Sequence, residues 1–164
     1  MEIWSATLRG DGRPHTFLGR VFAALEGRQR DYDFLLAGVE ACPTRPEYAF
    51  VNRGPVWLSG EELTAMVRRE DFRWIWCALL AFSPEMGRER AEATLRALYA
   101  TEAPDVDSGR IRAQFGRTRA EFMIYGEDST LTELLAVDPA WVRLFCSHEP
   151  DARAAKREAA PEET

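Results

Sequence analysis

The apolar positions of this chain follow two rhythms, alternate residues in some segments and every third or fourth residue in others, and each rhythm predicts its own kind of element. Over residues 3–9, Trp4, Ala6 and Leu8 alternate with Ser5, Thr7 and Arg9, which predicts a half-buried strand stopped by Gly10-Asp11-Gly12. Phe17, Leu18, Val21, Phe22 and Leu25 then fall at helical spacing, with Thr16 placed to cap and Gly27 placed to terminate. Residues 34–39 form a short continuous apolar run that predicts a second strand. Residues 48–51 and 56–58 flank the turn formers Asn52-Arg53-Gly54-Pro55 and predict a hairpin. Ser59-Gly60-Glu61-Glu62 matches the capping box, in which the hydroxyl and the carboxylate satisfy each other's backbone amides, so a helix over 60–69 follows with Leu63, Met66 and Val67 inward.

Residues 72–82 place Phe72, Trp74, Trp76, Leu80 and Phe82 on one side and Ile75, Cys77 and Leu79 on the other, the pattern of a strand covered on both faces. Ser83-Pro84 predicts the cap of a helix running through Ala91, Leu95, Leu98 and Tyr99, and residues 103–109 read as a loop. Ile111, Ala113 and Phe115 alternate, as do Phe122 and Ile124, so a hairpin through residues 116–119 is expected. Thr130 and Glu133 suggest another capping box ahead of Leu131, Leu134 and Leu135, and Asp138-Pro139 starts a helix toward Trp141 and Phe145. From Glu149 onward large apolar residues are missing. The expectation is an α+β fold, a mostly antiparallel sheet of about five to six strands packed with about three to four helices in one compact domain over 1–148. Residues 149–164 are expected to form a polar C-terminal tail, frayed or disordered.

Composition sharpens this picture by exclusion. The formal charge is −6 and Lys156 is the single lysine, whereas a generic nucleic-acid binder needs a basic excess to neutralise phosphates, so no nucleic-acid partner is expected. No apolar run approaches the roughly 20 residues that cross a bilayer, and residues 1–5 lack a secretory n-region, which places the chain in the cytoplasm with no membrane partner. Cys42, Cys77 and Cys146 are odd in number and far apart, suiting reduced, buried thiols.

Chemistry is sparse. His15 and His148 are the only histidines and neither stands beside a nucleophile, so no catalytic residue is assigned. Phosphate-loop, dinucleotide and nucleophile-elbow motifs are missing, and no cofactor follows. Asp31 and Asp33 share one side of an extended segment but read better as solvated acids than as a general acid and base. Asp105-x-Asp107-x-Gly109 opens like a calcium loop yet has Gly116 where the closing carboxylate belongs, so no metal is assigned. Trp74 and Trp76 read as core, while Trp57, at a hairpin-to-helix junction, stands partly exposed. With Trp57, the acids Glu61, Glu62, Glu70 and Asp71 bracket the short helix and form the candidate partner-binding set, an acidic patch for a protein of basic character.

Tyr32-Asp33-Phe34, Trp57-Leu58-Ser59-Gly60-Glu61-Glu62-Leu63, Leu79-Leu80-Ala81-Phe82-Ser83-Pro84 and Glu121-Phe122-Met123-Ile124-Tyr125-Gly126-Glu127-Asp128 resemble a family of small bacterial proteins of unknown function. The resemblance spans residues 1–137 and brings no residue roles. Three functional readings follow. One is a non-catalytic interaction protein, most concretely an immunity-type protein that neutralises a basic toxin. Another is a small-molecule-binding protein or enzyme with a pocket of dispersed Asp, Arg and Tyr residues. The last is a homo-oligomeric structural module.

Overall fold

The structure is a computed structural model that describes residues 1–10, 12, 16–98 and 107–158. His15, Tyr99 and residues 103–106 and 159–164 lie outside the described residues. Seven strands form one sheet: β1 (Glu2–Arg9), β2 (Asp33–Ala41), β3 (Val56–Ser59), β4 (Trp74–Phe82), β5 (Phe122–Glu127), β6 (Leu131–Ala136) and β7 (Arg153–Glu158). Their order is β3-β2-β4-β5-β6-β1-β7, and every neighbouring pair is antiparallel. Five α-helices accompany them among the described residues: α1 (Leu18–Ala24), α2 (Gly60–Arg69), α3 (Arg88–Leu98), α4 (Ser108–Ala113) and α5 (Pro139–His148). The fold is α+β as expected, with more strands and helices than the hydrophobic pattern announced.

Strand alternation sends neighbouring residues to opposite cores. Phe34, Leu36, Leu79, Ala81, Phe122, Ile124 and Leu134 pack with Leu18, Leu63 and Phe145 from α1, α2 and α5. Leu35, Leu80, Phe82, Met123 and Leu135 pack on the other side with Leu95 and Ile111 from α3 and α4. The sheet is thus the middle of three layers. β4 lies inside it between β2 and β5 with apolar residues on both sides. Phe72 and Trp74, however, share the core of Cys77 and Leu79 rather than that of Leu80 and Phe82, because the pairing with β2 shifts register around Trp76. Trp74 is wholly buried and Trp76, expected in the core, is half-buried.

Several expectations are corrected. Residues 48–51 are not a strand but part of a 3-10 helix, Pro46–Asn52, because Pro46 fixes a helical φ and the buried residues Tyr48 and Val51 are three apart. Asn52 pins this turn by bonding both backbone groups of Ala41, and β3 pairs with β2 instead. Ile111 and Phe115, four apart, lie on α4 and a following 3-10 turn, since Asp107 accepts from the Gly109 amide at 2.8 Å and caps a helix there. Thr130 and Glu133 do not begin a helix. Asp128 and Ser129 both take positive φ, 50° and 58°, and make the tight turn that folds β6 back on β5.

The starts of two helices also differ from expectation. Thr16 does not cap α1; it is buried and its hydroxyl contacts the Leu131 carbonyl and Thr132 Oγ1 at 3.2 and 3.0 Å. Ser83-Pro84 forms a turn, closed by Met86 N donating to Ser83 O at 2.9 Å, and α3 begins only at Arg88. Asp31 belongs to a 3-10 turn, Arg28–Asp31, and shares no extended segment with Asp33. The region after Glu149 is not a frayed tail across 153–158. It adds β7 to the free side of β1, where backbone pairing stands in for side-chain burial, and Lys156 lies over the Trp4 ring at 5.2 Å. Glu149 itself is buried and bonded twice by Arg20, each time at 2.5 Å. The thiols are all free, but only Cys77 is buried; Cys42 is exposed and Cys146 intermediate.

Candidate functional site

Antiparallel pairing brings the end of β3, the start of β2, the end of β4 and the start of β5 to one end of the sheet. Asp33 stands opposite both Ser59 and Phe82. Ser59 caps α2 with the capping box read from sequence: Glu62 N donates to Ser59 Oγ at 3.1 Å, and Ser59 N donates to Glu62 Oε2 at 2.8 Å. Glu61 is exposed in the same first turn. The carboxyl of Asp33 is raised above its ordinary value, first by burial and then by the charge of Glu62, so these acids crowd one another. Tyr32 O–H donates to Glu121 at 2.9 Å and its ring meets Phe122 and Trp141 edge-on. Burial, then Glu121, pushes its phenol up to about 12.

Trp57 sits on β3, an outermost strand of the sheet, half-buried and stacked on Phe82 with centroids 6.1 Å apart. On the opposite face of β3, Leu58 joins Tyr48, Phe50, Ala65 and Met66 in a groove of about 310 Å³, with Glu62 and Arg69 on its rim. The corner therefore combines a strand with one unpaired side, an apolar groove, a half-exposed indole and a cluster of carboxylates. Interfaces commonly pair an apolar centre with such a charged rim.

Of the residues singled out in the sequence, Trp57, Glu61 and Glu62 meet at this corner; Glu70 and Asp71 do not. They stand beyond the other end of α2, where each ties down another segment. Glu70 accepts from Thr44 Oγ1 at 2.6 Å, from Thr44 N at 2.5 Å and from Arg45 N at 3.1 Å, and these bonds, the hydroxyl's first, hold its carboxyl below the ordinary range. Asp71 accepts from Gly19 N at 3.2 Å and serves α1 as the cap that Thr16 does not provide. The sequence reading missed Glu121 as a member of the corner, and missed the groove as well. Helical three-residue spacing of Tyr48 and Val51 behind Pro46 was the available signal for the groove wall.

A second polar group lies on the face covered by α4. Glu133, side chain 3% exposed, is paired with Arg112, and Thr7 O–H reaches it at 3.5 Å. Arg112 lies over the Tyr125 ring, and Arg157 from β7 donates to the Arg112 carbonyl at 3.1 Å. Tyr125 O–H donates to Glu127 at 2.8 Å, and burial followed by this bond raises its phenol far above the ordinary value. These bonds fasten α4 and β7 to the sheet. His148 Nε2 contacts Glu26 at 3.0 Å, joining α5 to the end of α1. Among the described residues, no three His, Cys, Asp or Glu side chains converge to hold a metal, and no helix is long and apolar enough to cross a membrane.

Fold and corner together define a three-layer α+β protein built on a wholly antiparallel sheet, with a mixed apolar and acidic edge. Set against family models, curated proteins and solved structures, the chain matches none of them.

Proposed function

We propose that the chain is a non-catalytic binding protein whose β3–α2 corner receives a protein partner of basic character, and that it acts as an immunity-type protein masking a basic toxin in the cytoplasm. The observation that carries this reading is the pairing of like charges at Asp33 and Glu62, with Glu61 exposed in the same first turn of α2, at a strand that carries the apolar groove on one face and Trp57 on the other. An Arg or Lys from a partner would relieve that like-charge repulsion, and its apolar neighbours would fill the groove. Opposite charge would also speed encounter and make it salt-sensitive. The resemblance to small bacterial proteins supplies no residue roles here.

The test is capture of partners from the native cell at low and high salt, with Glu61→Arg and Trp57→Ser run beside the wild type. A basic protein retained at low salt by the wild type and lost by both variants supports the reading. Identical captures by all three would refute it. The second reading, a small-molecule or enzymatic site of dispersed charged residues and tyrosines, draws on the Arg112, Glu133 and Tyr125 cluster. It predicts a ligand that protects Arg112 from guanidinium-modifying reagents.

A further inference from the structure

A cleft of about 360 Å³ opens between α1, the Arg28–Asp31 turn and α2. Its size falls within the range of small-ligand sites, roughly 300–1,000 Å³. Phe22 and Val67 give it an apolar wall. Gln29 also lines it; this side chain is 1% exposed, and its amide Nε2 donates to Thr64 Oγ1 at 3.0 Å, while Oε1 is buried and has no partner. A leucine would occupy the same space without leaving an acceptor unpaired, so packing alone does not account for a glutamine here.

Charges of both signs line the same cleft. Arg30 from the turn and Arg68 from the last turn of α2 line the cleft, as does Glu26 just past α1, whose Oε1 meets His148 and whose second oxygen is left for a ligand. Arg30 is steered by its own Nε bond to the Gly27 carbonyl at 3.1 Å, and Gly27, at φ +75°, has no Cβ to obstruct that guanidinium. Two guanidiniums suit a carboxylate, which they grip through paired N–H donors. An amide oxygen and a carboxylate suit an ammonium group. The apolar wall suits a short aliphatic side chain.

We infer that the α1–α2 cleft binds a free amino acid with an aliphatic side chain: its carboxylate toward Arg30 and Arg68, its ammonium toward Gln29 Oε1 and Glu26, its side chain against Phe22 and Val67. This site is separate from the β3 corner and stands whether or not that corner binds a protein.

The test is amide-resolved NMR titration of the full chain with L-leucine, L-valine and L-methionine. Isocaproate, which lacks the amine, and isoamylamine, which lacks the carboxylate, serve as controls. At least one amino acid should give saturable shifts at Gly19, Gly27, Thr64 and Arg68, with both controls at least roughly tenfold weaker. Arg68→Glu, on an exposed position, should abolish the response. Gln29→Leu should also abolish it while raising the unfolding midpoint, whereas a purely structural glutamine would lower the midpoint on replacement. Absence of saturable shifts with all three amino acids at millimolar concentration, or controls binding as tightly as the amino acids, would overturn the inference.

Discussion

Replacing Gly60 with alanine puts the packing of α2 to a direct test. A Cβ built on Gly60 would stand 2.1 Å from the Gln29 carbonyl oxygen, 2.7 Å from that of Tyr32 and 2.8 Å from Arg30 Cα. All three are backbone atoms, so no rotamer change relieves the contact and the Arg28–Asp31 turn must withdraw by roughly an ångström, at an overpacking cost of about 1–3 kcal/mol. Withdrawal stretches the Gly60 N to Tyr32 O bond, now 2.7 Å, which contributes about 1 kcal/mol. It also lifts Tyr32 from Phe122 and Trp141, whose edge contacts are worth about 1 kcal/mol. Better helix propensity of alanine returns at most about 1 kcal/mol. The net loss is about 3 kcal/mol, a fall of roughly 6–12 °C in the thermal midpoint for a chain of this length. Circular dichroism melts and urea titration of G60A measure it directly. A midpoint within about 2 °C of wild type would mean the turn yields freely, and the steric argument would fail.

Three further outcomes follow from the same contacts. The Tyr32 phenol has an ordinary value of 10.0 and a folded value of about 12, so its contribution to stability is complete below pH 10 and disappears as pH rises through about 12. Phenolate absorbance should show one tyrosine titrating near 12 that is missing from Tyr32→Phe, and superimposable titrations would refute the assignment. Arg112→Ala leaves the buried Glu133 carboxylate without its partner and should cost about 3 kcal/mol in urea, whereas the double change Arg112→Met with Glu133→Leu should recover most of that loss. Truncation to residues 1–148 removes β7 and bares one side of β1, so the shortened chain should melt lower and self-associate, as sedimentation would register.

The elements that could be read from sequence are those in which local chemistry and tertiary role agree. β4 was legible because apolar residues occupy both of its sides, and the Ser59 and Asp138 caps because each acts on amides within three residues of itself. Short segments failed where two periods coexist: Ile111 and Phe115 satisfy alternation and helical spacing alike. Glu133 was misread because a Thr-x-x-Glu string also occurs where a strand carries one buried ion pair. β7 could not be read because an edge strand draws on backbone partners supplied by β1, which its own residues do not encode. The site divides in the same way. Glu61 and Glu62 lie next in sequence to the strand they flank, whereas Glu70 and Asp71 bond amides 26 and 52 residues away, so their engagement was invisible along the chain.

The placement of β1 between β6 and β7 governs the order in which the molecule can be assembled. Thr7 and the Glu133 it contacts are separated by 126 positions, so during synthesis β1 emerges long before either neighbour exists. The β2–β3–α2–β4 portion can form early, but closure of the sheet at β1 must await residues 131–158. Distant pairings of this kind slow folding and prolong exposure of unpaired edges. Nascent chains should therefore depend on chaperone protection until β6 and β7 arrive to enclose that first strand.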